Sequence, residues 1–134
     1  MMFLFPFAII KINRRYIILS DVQCNYIMGI GEQILHAEIS VIPIGTNSGT
    51  SMSKEISSAF DAIRKIKDVK TVLTAMGTQI ETNDFGNILK AIEVTHQSIR
   101  SAGAKRIITT IRIDERLDRS VSLEEKVESV MEKL

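Results

Sequence analysis

The sequence predicts an α+β sandwich with the element order βαββαβ and one extra C-terminal helix. Three observations predict it. ILHAEISVI and RIITTIRI alternate side by side in the manner of half-buried strands. Two stretches between and after the first strand carry apolar residues at helical spacing. A β-branched run, VKTVLTAMGTQIETN, is split by a glycine, as two short strands joined by a bend would be.

In the first strand Leu35, Ala37, Ile39 and Val41 share one face, and His36, Glu38 and Ser40 the other. Pro43 and Gly45 end it, and TNSGTS is a loop by composition. Ile56, Ala59, Phe60, Ile63 and Ile66 then mark the apolar side of a helix, for which Ser51 or Ser53 is the expected N-cap. Gly77 sits at the bend of the strand pair that follows. Asp84 is placed to cap a second helix, with Phe85, Ile88, Leu89, Ile92, His96 and Ile99 along its apolar face. Gly103 stands where a left-handed C-terminal cap belongs. In the last strand Ile107, Thr109, Ile111 and Ile113 face one way; Ile108, Thr110, Arg112 and Asp114 face the other. DERLDRS reads as a charged, self-paired loop. Ser122 and Glu125 make a capping box, opening a final helix with Leu123, Val127, Val130, Met131 and Leu134 on one face. Two right-handed crossovers in this order produce an antiparallel sheet with both main helices on one side, the ferredoxin-like arrangement.

The chain has 134 residues, one domain's worth, and its 45% hydrophobic content suffices for one core. A formal net charge of +1 supplies no field to draw in nucleic acid or an anionic membrane. With no Trp, two Tyr and five Phe, stacking platforms are scarce, and neither long strand carries an aromatic residue of the kind that RNA-reading sheets present. Cys24 is the single cysteine, so no internal disulfide is possible and nothing points to an oxidising compartment.

The regular pattern begins only near Ile34. Residues 1–33 are therefore expected to be an extension outside the fold, and 34–134 the domain. MMFLFPFAII is broken by KINRR before YIIL resumes, too short and interrupted for a membrane span. Its basic residues follow the apolar run and no small-residue cleavage site appears, which disfavours a secretory signal. An early start, with Met28 the true one, and a cytoplasmic location are the expectations.

The side of the sheet away from the two main helices carries Ile34, His36, Glu38, Ser40, Ile42, Ile108, Thr110, Arg112 and Asp114. It is too apolar at its ends to be simply solvated, and such faces usually form interfaces. Glu38 and Arg112 suit a cross-strand ion pair, and the polar middle could equally surround a ligand. The hydroxyl-rich loop holding Thr46, Ser51 and Ser53 could offer donors to an anion at the helix start, but it lacks the lysine of a nucleotide loop. His96 reads as a hydrogen-bonded core histidine. His36 is a metal ligand only if Glu38 and another strand contribute, so no metal and no cofactor are expected. No CxxC, HExxH or GxSxG occurs, and no nucleophile with a base or close acid pair argues for catalysis.

VIPIGTNSGTSMS, then TAMGTQIE, TTIRIDERLD and EEKVESV, in this order and spacing, resemble the small thiamine-binding-protein family of compact ferredoxin-like proteins. The resemblance runs from about Leu35 to Leu134. It implies a homo-oligomer, a dimer or tetramer, that binds thiamine or its hydroxymethylpyrimidine half, and it implies no established catalysis. Under it the candidate ligand residues are Glu38, Ser40, Thr46, Ser51, Ser53, Thr78 and Arg112. Glu38 suits a cationic thiazolium or an aminopyrimidine; Glu81 is a weaker candidate that could simply be solvated. The alternatives are an enzyme on the same fold with Glu38 or His36 as base, and a purely structural or regulatory interaction module.

Overall fold

A computed structural model describes residues 33–134 in full and, N-terminal to them, two strands as backbone, β1 (Phe7–Ile12) and β2 (Arg15–Ser20). These two pair antiparallel, with Ile9 opposite Ile18. The rest of the N-terminal stretch, Met28 and Cys24 included, lies outside the described residues.

From residue 35 the expected order holds. The elements are β3 (Leu35–Ile44), α1 (Ser53–Arg64), β4 (Lys70–Leu73), β5 (Thr78–Thr82), α2 (Phe85–Ser101), β6 (Arg106–Glu115) and α3 (Leu123–Met131). The sheet has the order β4-β5-β3-β6 and every pairing is antiparallel. β3 therefore lies between β5 and β6, with Glu38 opposite both Gln79 and Arg112.

The period-two pattern decides the faces. Leu35, Ala37, Ile39 and Val41 turn inward with Ile80, against Ala59 and Ile63 of α1 and Ile88, Ala91 and Ile99 of α2; all are buried. The other face carries His36, Glu38, Ser40, Ile42, Ile108, Thr110 and Arg112, as expected. His96 bonds Thr109 Oγ1 at 2.8 Å.

The caps follow chemistry with one exception. Asp84 accepts from the Gly86 N–H at 2.7 Å. Ser122 and Glu125 complete their capping box. Gly103 takes φ +87°, the left-handed conformation that a glycine adopts freely. For α1, however, neither Ser51 nor Ser53 is the cap: Met52 holds that position without a side-chain bond, and the two serine hydroxyls lie 3.2 Å from each other. The acidic residue of the first turn, Glu55, folds inward in their place and is 2% exposed.

Candidate functional site

Two concavities and one buried carboxylate concentrate the polar chemistry of the described residues. The first concavity, of ≈240 Å³, lies on the inner side of the sheet beneath α1. Ile39 and Val41 of β3 face Ala59 and Ile63 of α1 across it, and Met52 and Met76 stand at its margins. Two small residues, Ala59 and Gly77, leave the space between larger neighbours such as Ile39, Ile56 and Ile63. Ala59 faces the sheet, and Gly77 lets the β4–β5 turn close down on β3: a Cβ there would stand 3.0 Å from the Ile39 carbonyl oxygen. Gly77 is required by close approach, not by a left-handed backbone. Thr74 locks the turn, its hydroxyl donating to the Gly77 carbonyl at 2.8 Å and accepting from the Gly77 N–H at 3.1 Å. Ser40, Thr74, Thr78 and Thr95 are the hydroxyl-bearing residues of an otherwise apolar lining; the Thr95 hydroxyl donates to the Ala91 carbonyl at 2.8 Å. Such a mixture, greasy walls with a few fixed polar groups, is what small-molecule sites share.

The second concavity, ≈470 Å³ and wide open, lies on the outer face. Glu38 is its centre. One carboxylate oxygen accepts from Arg112 Nη2 at 3.0 Å and the other from Gln79 Nε2 at 3.3 Å. The pairing of Glu38 with Arg112 expected across the strands is thus present, and Gln79 completes it.

At one end of this groove α3 lies over the sheet. His36, expected on an open face, is 5% exposed beneath it. Lys126 Nζ lies 3.0 Å from His36 Nδ1 and also pairs with Asp114. An ammonium only donates, so the neutral ring accepts at Nδ1 and carries its proton on Nε2. Nε2 stands 3.7 Å from Glu81 Oε2, too far for a hydrogen bond, and has no partner. Burial first, and the Lys126 charge second, hold the His36 pKa below its ordinary 6.5. Glu81 is not simply solvated: its Oε2 accepts from the Leu123 N–H at 2.7 Å, at the N-terminus of α3. Lys70 pairs with Glu124. Asp114 leaves the charged loop for this cluster, and Lys126 holds its carboxyl below the usual range. In the loop itself Arg116 and Asp118 pair as expected, at 2.6 Å.

The candidate ligand residues thus separate into three places. Glu38 and Arg112 meet in the outer groove. Thr78 faces inward, and Ser40 on β3 also borders the inner cavity. Thr46, Ser51 and Ser53 belong to the loop before α1, where sequence reasoning missed the central residue, Glu55. Its Oε1 accepts from Ser48 Oγ at 2.5 Å, and its Oε2 is buried with no partner. The Ser48 hydroxyl, followed by the backbone N–H of Glu55, keeps this carboxyl below the ordinary glutamate range. The signal that could have found it is a glutamate at the third helical position of α1, where a carboxylate can reach back to free N–H groups.

No group of three or more histidine, cysteine, aspartate or glutamate side chains among the described residues could hold a metal ion. No helix among them is long and apolar enough to cross a membrane.

This fold, a four-stranded antiparallel sheet with two helices on one face and a third across the other, defines a ferredoxin-like α+β sandwich. The family model described as thiamine-binding protein matches residues 37–131, and the chain belongs to that family. It is 39% identical over 101 residues to a UPF0045 protein of Methanothermobacter thermautotrophicus, covering 75% of this chain and all of that one. A crystal structure of a hypothetical protein of Methanocaldococcus jannaschii superposes with a TM-score of 0.66 at 34% identity, over 74% of this chain and 97% of that one. A candidate thiamine biosynthesis/salvage protein of Thermotoga maritima shares the fold, with a TM-score of 0.60 at 22% identity over 72% of this chain and 98% of that one. The family match leaves residues 1–33 outside it.

Proposed function

We propose that this protein is a cytoplasmic homo-oligomer that binds thiamine or its hydroxymethylpyrimidine half in the cavity beneath α1. The observation that carries this reading is the cavity itself: apolar walls from two layers, hydroxyl residues Ser40, Thr74, Thr78 and Thr95, and no charged side chain in its lining. Its ≈240 Å³ falls below the range of about 300–1,000 Å³ typical of sites for drug-sized ligands, so it suits one ring better than two linked rings. The pyrimidine half fits that description, with a thiazolium left toward the mouth. Membership in the thiamine-binding family supports the ligand class.

Self-association is supported by the far end of the outer face. Ile42 and Ile108 are Cα partners there, 44% and 40% exposed, with Ile44 beside them. An apolar cluster on a sheet face is the kind of surface a second copy would cover.

Calorimetric titration with thiamine and with hydroxymethylpyrimidine tests the ligand. Heat is expected with at least one, and Ala59→Leu, which fills the cavity from α1, is expected to weaken binding about ten-fold or more, or 1.4 kcal/mol. Absence of heat with both compounds, or unchanged affinity in Ala59→Leu, overturns the proposal. The outer groove is the second locus, favoured by the Glu38–Arg112–Gln79 cluster. A ligand bound there would ignore Ala59→Leu and respond to Glu38→Gln.

A further inference from the structure

Glu55 is the buried group that the fold by itself does not explain. Carboxylates are among the side chains least often buried, and this one is 2% exposed with one oxygen unpartnered. It shares the inward stripe of α1 with Ala59 and Ile63, both of which line the cavity one and two turns further on. What it does hold is the preceding loop. The loop leaves β3 through Gly45, at φ +83°, and passes Gly49, at φ +67°, two points where the chain turns through conformations that other residues resist. Ser48 lies between them, and its hydroxyl reaches Glu55 Oε1 at 2.5 Å. The loop ends at Met52, which is at once the N-cap of α1, without a side-chain bond of its own, and a wall of the cavity.

We infer that the Ser48–Glu55 bond is a latch that positions Met52 as the cavity's wall, making Glu55 a positioning residue for the ligand site. The bond spans the seven residues between loop and helix, so it fixes the stretch on either side of Met52. Glu55 is suited to this because it anchors in two directions: its carboxylate takes the serine hydroxyl and also lies at the positive end of α1, where negative charge is favoured. A charge-assisted bond from a hydroxyl to a carboxylate is stronger than one between neutral groups. The inference rests on the cavity being the binding site, but its test does not need a ligand.

Met52 and Met76 both line the same cavity, 38% and 83% exposed. Oxidation by hydrogen peroxide, in which the thioether gains one oxygen and water leaves, reports the accessibility of each. Peptide mass spectrometry of the full chain then gives two rates in one sample, with Met76 as the internal reference. In the unmodified protein Met52 is expected to react more slowly than Met76. Ser48→Ala, a loop substitution that leaves the core untouched, is expected to raise the Met52 rate about two-fold, to near that of Met76, as their 38% and 83% exposures allow, with Met76 unchanged. Glu55→Gln should do the same. Ser48→Thr, which restores a hydroxyl, should return Met52 to its slow rate; a role confined to packing would not be rescued this way. An unchanged Met52 rate in both Ser48→Ala and Glu55→Gln overturns the latch, as does a rise that Ser48→Thr fails to reverse. Titration of the unmodified protein with thiamine and hydroxymethylpyrimidine, run alongside, judges the ligand reading separately.

Discussion

Lys126→Met is the substitution that most directly tests how α3 is held to the sheet. None of the residues of α3 is buried, and Val127, Val130 and Met131 are exposed; half-buried Leu123, and Val121 just ahead of the helix at 8% exposed, supply the apolar contact, so apolar burial is a minor part of docking. A nine-residue helix is too short to be stable by itself. Polar contacts must hold it: Lys126 to His36 and Asp114, the Leu123 N–H to Glu81, and Lys70 to Glu124. Methionine keeps most of the lysine stem and removes the ammonium. The pair with Asp114, whose side chain is 58% exposed, is worth about 0.2–1 kcal/mol. The larger loss is at His36, where a buried acceptor nitrogen is left without its donor; such an orphan costs about 1–3 kcal/mol, toward the lower end here because the adjoining groove is open to water. Together the expected destabilisation is about 1–3 kcal/mol. At about 4–8 °C per kcal/mol for a domain of this size, Tm should fall by at least about 4 °C.

The same variant has a signature in pH. His36 has its folded pKa lowered from 6.5, so between that lowered value and 6.5 the unfolded chain binds more protons than the folded one. Stability from this group is complete above pH 6.5 and is lost as the pH falls below it. Removing Lys126 removes the second of the two influences that lower the value. The His36 titration, followed by NMR, should move up in Lys126→Met, and the acid-side loss of stability should shrink. Denaturant unfolding at pH 7.5 and pH 5.5 measures both effects. A loss under 0.5 kcal/mol at pH 7.5 together with an unmoved His36 titration would refute docking through Lys126.

Four further outcomes are expected. If the Ile42–Ile108 surface joins two copies, as proposed, Ile108→Lys should lower the mass seen in sedimentation velocity, because it places an unpaired charge on that surface; a species of unchanged mass counts against it. Deleting Met1 to Ile27 should leave the circular dichroism and unfolding midpoint of the domain intact, and an insoluble product would make the segment part of the fold. If the outer groove holds the ligand, Glu38→Gln should weaken thiamine binding roughly ten- to a hundred-fold, about 1.5–3 kcal/mol for one charge-assisted bond, whereas the inner cavity predicts little change. Turnover of a small-molecule substrate abolished by the same substitution would identify an enzyme instead of a binding protein.

The elements were legible because each is encoded within four to seventeen neighbouring residues. Alternation in β3 assigned Leu35, Ala37, Ile39 and Val41 to the core; on β6 it assigned Ile107, Thr109 and Ile111, which are half-buried, but also Ile113, which is 41% exposed and borders the outer groove. The caps at Asp84 and Ser122 were legible because capping needs only a side chain and an amide two or three residues on. Thr78 shows where this stops. Its strand has five residues, and whether Thr78 or Gln79 joins Glu38 depends on a register that no local pattern states. In the folded sheet Gln79 lies opposite Glu38, and Thr78 turns to the cavity.

What periodicity could not reveal has a common physical cause: it detects apolar groups that leave water, and the informative contacts here are polar. The apolar stripe expected for the last helix is Leu123, Val127, Val130, Met131 and Leu134; Leu123 is half-buried and the other four are exposed, while the helix meets the sheet through Lys126 and its own N-terminus. That arrangement buries His36 without any apolar signal near it in the sequence. Glu55 is the stronger case. Residue type argues for the surface, yet the free N–H groups at the start of α1 and the Ser48 hydroxyl together make the interior favourable for its carboxylate. The same helix end would otherwise leave donors unmet, since Met52 has nothing to offer them. Neither Ser51 nor Ser53 caps α1; Glu55 places its negative charge at that helix end and accepts the Ser48 hydroxyl, which ties the loop to the helix at the edge of the cavity. If that bond sets the position of Met52, as inferred, substitutions at Ser48 and Glu55, rather than at the lining itself, separate the making of the site from the binding within it.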